Sequence, residues 1–189
     1  MENTGLELDD FLKRKIAPKE PDILRLISGG HSLKLKATKG KRLICDAKKT
    51  FKSFIDADFS NFGINKPWAP RPEMPIQVHE IVGDAEFLGI FKALPGTWAE
   101  KWISQDQIIQ FCEKLPKWLR QEGYGTFFLT KKDENQPINE DKPEDNLVVV
   151  YVLVLADGLL VRVCSLAIGH LWYGPRRHRL VSPLSPSVV

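Results

Sequence analysis

Apolar and polar positions change their period several times along the chain, and each change marks an element. From Asn146 to Gly169, "NLVVVYVLVLADGLLVRVCSLAIG", almost every position is apolar and β-branched residues dominate. Asp157-Gly158 in the middle is a hairpin turn pair, so the pattern predicts two antiparallel strands. With a two-residue turn at that pair, Ala156 faces Leu159 and Tyr151 faces Cys164. Strand alternation then puts Val148, Val150, Val152, Val154, Leu159, Val161 and Val163 on one face. Val149, Tyr151, Leu153, Leu155, Leu160, Arg162, Cys164 and Leu166 share the other. Both faces are apolar and both need cover. Helices can supply one cover; the other requires an N-terminal module or a second subunit, so a homo-oligomer through the 147–166 hairpin is one expectation. The same stretch is long enough to imitate a membrane span. Asp157 and Arg162 in its middle would each cost about 2.5–3.5 kcal/mol at a bilayer centre, which excludes the membrane reading.

Helical spacing appears upstream. In "DAEFLGIFKALPG", Asp84 is placed as an N-cap; Phe87, Leu88, Phe91 and Leu94 follow at helical intervals, and Pro95-Gly96 stops the run. In "SQDQIIQFCEKLPKWLRQEGYG", Ser104 and Gln107 have capping-box spacing, and Ile108, Cys112, Leu115 and Leu119 form the apolar stripe. Pro116 kinks or splits this helix, and "TFFLTKK" after it is a strand. Near the N-terminus two short helices are expected, Leu8–Ile16 and Pro21–Ser28, ended by Gly29-Gly30. "HSLKLKATKGKRLICDA" alternates with period two around a Lys39-Gly40 turn, which predicts a hairpin with Leu33, Leu35, Ala37 and Ile44 on one face and Lys34, Lys36 and Lys41 on the other. "KKTFKSFIDADF" is expected as a short helix directing Phe51, Phe54 and Ile55 inward. Four prolines in "NKPWAPRPEMP" make a stiff connector.

The expected architecture is α+β: helices packed on an antiparallel sheet of C-terminal strands, with a small N-terminal helix/β-hairpin module. The divisions are residues 1–64 for the basic module, 65–75 for the proline-rich connector and 76–189 for the α+β core, together forming one compact unit.

Composition adds less than distribution. The chain has 189 residues, 43% hydrophobic and 27% charged, ordinary for a globular protein that buries a core without metal or disulfide. The net charge is only +3. Between Lys34 and Lys52, however, eight basic residues accompany a single acid, Asp46, while Asp133–Asp145 carries six acids and one lysine. Cys45, Cys112 and Cys164 are widely spaced among apolar neighbours, with no CxxC pair, and the charged N-terminus lacks the apolar core of a signal peptide. These features predict reduced thiols and a cytoplasmic location.

Catalytic signatures are weak. His31, His79, His170 and His178 show no metal-ligand spacing, so neither a metal nor another cofactor is expected. No nucleophile elbow and no phosphate-cradling glycine motif occurs. Paired carboxylates fall mainly in the acidic 133–145 loop, a mobile place for an acid/base pair. The basic residues carry more information: clustered lysines suit phosphate neutralisation. In "HLWYGPRRHRLVSPLSPS" the aromatics Trp172 and Tyr173 stand beside arginines, a combination used on single strands. If this stretch becomes a strand after a Gly174-Pro175 bend, Arg177 and Arg179 share one face. Lys34, Lys36, Lys41, Trp172, Tyr173, Arg177 and Arg179 are thus the candidate contacts to nucleic acid or another anionic partner. The bland readings are a lysine-protected sheet edge and aromatics that cap the core.

The run "GTWAEKWISQDQIIQFCEKLPKWLRQEGYGTFFL" together with "LWYGPRRHRLV" resembles a group of small bacterial proteins with no assigned function, over about the C-terminal 110 residues. The resemblance implies a bacterial origin and supplies no catalytic residues to carry over. The resulting expectation is a non-enzymatic bacterial binding or interaction protein, acting on a protein partner or nucleic acid. The alternative is a small hydrolase or nuclease using His170, His178 and the arginines beside them.

Overall fold

The computed structural model describes residues 22–29 and 31–184. They build one mixed, eight-stranded sheet from β1 (Leu24–Leu26), β2 (Leu33–Leu35), β3 (Phe54–Ile55), β4 (Met74–Ile81), β5 (Gly125–Lys131), β6 (Leu147–Leu155), β7 (Gly158–Ser165) and β8 (Arg179–Pro183). The order across the sheet is β1-β4-β8-β5-β6-β7-β3, and β2 also pairs with β4. Because β8 takes one edge of β4, β1 and β2 share the opposite edge, at its two ends. Helices are few: α1 (Asp58–Asn61), α2 (Phe87–Lys92) and α3 (Gln105–Lys114), plus single 3-10 turns.

This corrects the expected α+β arrangement of helices on an antiparallel sheet of C-terminal strands. Three N-terminal strands are part of the same sheet, and β5 with β8 and β3 with β7 pair in parallel. The 33–45 hairpin does not form. Leu33–Leu35 pairs with Met74–Ile76 instead, and the following chain runs beside the proline-rich segment, where Thr38 and Arg71 exchange backbone hydrogen bonds of 2.8 and 3.0 Å. Alternation determines which side chains face the core, and Leu35 is indeed fully buried, but it does not choose the partner strand. Residues 24–26, expected within a helix, form β1. Phe54 lies in β3 and is exposed, whereas Phe51 is buried as expected. The Leu8–Ile16 helix lies outside the described residues.

Elsewhere local chemistry holds. Ser104 Oγ accepts from Gln107 N–H and Gln107 Oε1 accepts from Ser104 N–H, completing the capping box of α3. Pro116 ends α3 and begins a separate 3-10 turn, Pro116–Trp118. Asp84 does not cap α2, which starts after Glu86; its carboxylate accepts from Gly174 N–H at 2.7 Å. The β6–β7 turn is Ala156–Asp157, with Leu155 opposite Gly158 and Tyr151 opposite Arg162. Gly158 has φ +136°, a backbone that suits glycine, so it begins β7 rather than ending the turn. The register is two residues away from the expected one, and an even slip leaves every side chain on its expected face.

Two cores result, one on each side. Val78, Val181, Phe128, Val150 and Val163 are cross-strand neighbours and all are buried. They meet Ile108, Phe111 and Cys112 of α3, along with Ile44, Phe51 and Phe59 from the 36–64 segment. On the opposite side, Leu129, Val149 and Leu180 meet Phe87, Ile90 and Phe91 of α2, with Leu166 and Trp172 closing the rim. The acidic loop is fastened to its neighbours: Glu140 accepts from Trp98 N–H and Ala99 N–H at 2.9 and 3.2 Å, and Glu134 accepts from Ala69 N–H at 2.6 Å. No helix among the described residues is long and apolar enough to cross a membrane.

Candidate functional site

Burying Leu35 leaves Lys34 and Lys36 exposed on either side of it at the sheet margin. The side-chain amide of Gln110 on α3 then grips the backbone of Lys36. Its Oε1 accepts from Lys36 N–H at 2.6 Å and its Nε2 donates to Lys36 C=O at 3.4 Å. Helix and strand edge thereby enclose a groove of about 310 Å³ with Leu35 and Leu115 as its apolar floor and Lys34, Lys36 and Lys114 around it.

A second groove, about 450 Å³, opens next to the same helix and is lined by Lys41, Arg42, Lys48, Lys49 and Glu113 among others. Its shape follows from one buried residue. Ile44 is fully buried, its N–H donates to Gln105 Oε1 at 3.2 Å, and the lysines on both sides of it are left at the surface. Arg42 is held by Glu113 and lies 3.8 Å from Asp106. Burial works to raise the Glu113 carboxyl, but hydrogen bonds from Arg42 and Thr50 outweigh it and hold the group below the ordinary range. Glu113 is therefore ionised and already satisfied. Lys34 pairs with Glu73 at 3.0 Å. Lys36, Lys41, Lys48, Lys49 and Lys114 have no ion-pair partner among the described residues. Glu113 lines one groove and Lys114 the other, so α3 is the ridge between two cationic grooves.

The C-terminal candidates are placed differently. Residues 174–176 form a 3-10 turn, Arg177 caps it with φ +53°, and the strand begins only at Arg179, so Arg177 and Arg179 do not form a row. Arg179 Nη1 donates to the carbonyls of Lys117 and Leu119 at 3.2 and 3.0 Å, which ties β8 to the turn after α3. Trp172 packs among Phe87, Phe127 and His178, with ring centroids 4.7–5.0 Å away. Tyr173 is exposed, with the Arg176 guanidinium 5.5 Å from its ring centre.

His178 Nδ1 accepts from Gly125 N–H at 2.9 Å, so its neutral ring carries the proton on Nε2, which is buried without a partner. Burial, then the charge of Arg176, lowers its pKa to about 4; burial alone does the same to His79. No hydrogen bond joins any of the four histidines to a carboxylate among the described residues, and no three potential metal ligands converge there. The structure thus gathers Lys34 and Lys36 beside one groove and Lys41 beside the next, with Trp172 and Arg179 in packing roles. Gln110, Glu113 and Lys114 escaped the sequence reading. Their only signal in the sequence is the polar side of the helix whose apolar stripe is predicted.

No protein-family model, curated protein or solved structure matches the chain.

Proposed function

We propose that the chain is a non-enzymatic binding protein for a strand of nucleic acid, held along the two lysine grooves beside α3. The observation that carries this reading is the convergence of cations from two separate parts of the chain, residues 34–49 and Lys114, on adjoining grooves in which Glu113 is paired with Arg42 and Asp46 is the one remaining acid. Lysines without partners release counterions when they meet phosphate, and that release drives sequence-independent binding. Groove floors of leucine beside ammonium groups suit a ligand with apolar bases and an anionic backbone better than a small inorganic anion. Three free thiols, one of them fully buried with its pKa raised by burial, fit a reducing compartment. The hydrolase alternative gains no support from the buried, carboxylate-free environment of His178.

Fluorescence anisotropy with a labelled single-stranded oligonucleotide tests the reading. Wild-type binding should weaken linearly with log salt. Replacing Lys41, Lys48 and Lys49 by Gln should weaken it and make the slope shallower by about 2, since each single-strand phosphate contact contributes about 0.7. Lys36→Gln with Lys114→Gln should do the same to a smaller extent. Arg179→Gln is the control that separates charge from architecture: it should lower stability and leave the slope nearly unchanged. Absence of wild-type binding at low salt overturns the proposal.

A further inference from the structure

Five large apolar side chains are exposed among the described residues, and three of them, Ile168, Leu171 and Tyr173, fall within six positions of one loop. The loop is held firmly. Trp172 and Ala85 exchange backbone hydrogen bonds of 3.0 and 3.1 Å, and the Trp172 ring sits in the aromatic core. Leu171 and Tyr173, on either side of that inward anchor, are about 40–50% exposed, at 42% and 46%. Apolar exposure grouped in this way marks a surface that a further segment can cover.

What lies next to the patch is the entry of the chain. Ile23 C=O accepts from Val82 N–H at 2.8 Å and from Gly83 N–H at 3.3 Å. Gly174, directly after Tyr173, packs so tightly on this same turn that a Cβ there would stand 2.3 Å from Val82 O. Residues 1–21 thus join the described chain at Asp22, two short contacts from the exposed loop. Within them Leu8, Phe11, Leu12 and Ile16 follow the i, i+3, i+4, i+8 spacing of an apolar stripe, with the acids Glu7, Asp9 and Asp10 at its N-terminal end and Lys13, Arg14 and Lys15 at its C-terminal end. The loop is followed by Arg176 and Arg177, neither in an ion pair among the described residues. The five residues 17–21 reach about 17 Å when extended, enough to bring the stripe onto the loop.

We propose that residues 8–16 of this same chain occupy the Ile168–Tyr173 loop, with the Leu8, Phe11, Leu12 and Ile16 stripe on Leu171 and Tyr173 and the flanking acids toward Arg176 and Arg177. Occupation is intramolecular, so it does not depend on protein concentration. Removing the contact from either side uncovers the other.

Hydrogen–deuterium exchange of the full-length chain, read by mass spectrometry at two protein concentrations, tests this. Amides of residues 8–16 should exchange at least about tenfold more slowly than in an unstructured peptide, as expected for a segment held by local packing. Leu171→Asp, at an exposed position that leaves the core untouched, should abolish that protection. Leu8→Asp with Leu12→Asp should in turn accelerate exchange at Gly169–Leu171. Unprotected 8–16 amides overturn the proposal, as does protection that survives Leu171→Asp. Protection lost on dilution, with a doubled mass at high concentration, also overturns it and assigns the patch to a second copy of the chain.

Discussion

Two neighbouring rows of side chains cross the same five strands and face opposite ways. On the α3 side the row reads Val78, Val181, Phe128, Val150, Val163; on the α2 side it reads His79, Leu180, Phe127, Tyr151, Arg162. The first is apolar from edge to edge. The second is apolar only at its centre and becomes polar outward, through a buried histidine on β4 and a half-buried tyrosine to an exposed arginine on β7. The backbone is common to both, so the difference comes from what covers each side. A ten-residue helix and the 36–64 segment lie over the first, while the cover of the second, α2 and the 166–172 loop, leaves its β7 end exposed. Strand alternation determines the facing of a residue, whereas the length of the cover determines its burial.

The centres of the two rows should behave alike. Phe127 and Phe128 are both fully buried, so replacing either by Ala should cost about 3–5 kcal/mol in urea denaturation. A much smaller loss for Phe127 would show that the α2 side yields and refills the space. Acid separates the rows next. His79 and His178 both belong to the α2 side, with folded pKa values near 4 against an ordinary 6.5. A histidine whose folded pKa is depressed binds its proton less readily when folded. Stability is therefore full above about pH 6.5 and lost as pH falls toward 4, by about 3 kcal/mol for each ring. Denaturation midpoints from pH 8 to pH 4 check this, and His79→Leu should remove about half of the drop. Adjacent positions on one strand sharpen the contrast further. Val152 is fully buried on the α3 side and Leu153 only partly covered on the other, so Val152→Ala should cost about 2 kcal/mol and Leu153→Ala under about 1, although leucine is the larger side chain. Ser104→Ala should cost about 1 kcal/mol through the lost N-cap bond of α3. An unchanged midpoint would show that the buried Gln105–Gln107 turn is held by its packing alone.

Much of this molecule was legible where neighbours in sequence decide. The facing of every β6 and β7 side chain, the cap at Ser104 and the break at Pro116 follow from local periodicity and local hydrogen bonding. Pairing was not legible. Leu33–Leu35 has the alternation of a hairpin arm but gains more by joining Met74–Ile76, and β8 is inserted between β4 and β5, strands nearer to each other in sequence than to it. These choices depend on contacts across 40 to 100 positions, for which one sequence holds no direct signal. The candidate site divides in the same way. Lys34, Lys36 and Lys41 were readable as a cationic run, but the grooves exist only because Gln110, Glu113 and Lys114 arrive from a helix about 70 residues later. Arg179 has the sequence context of a free cation, and only the fold places its guanidinium on two carbonyls.

The amide of Gln110 also bears on how copies of this chain avoid one another. A strand at the rim of a sheet offers a donor and an acceptor at every second residue, a template on which any extended segment can grow. At Lys36 both groups are already taken by one side chain, which imitates a neighbouring peptide unit yet has no backbone to pass on. The ladder is ended there by a single residue from a helix. A Gln110→Leu chain would keep the fold and reopen that end, becoming more prone to fibrous self-association.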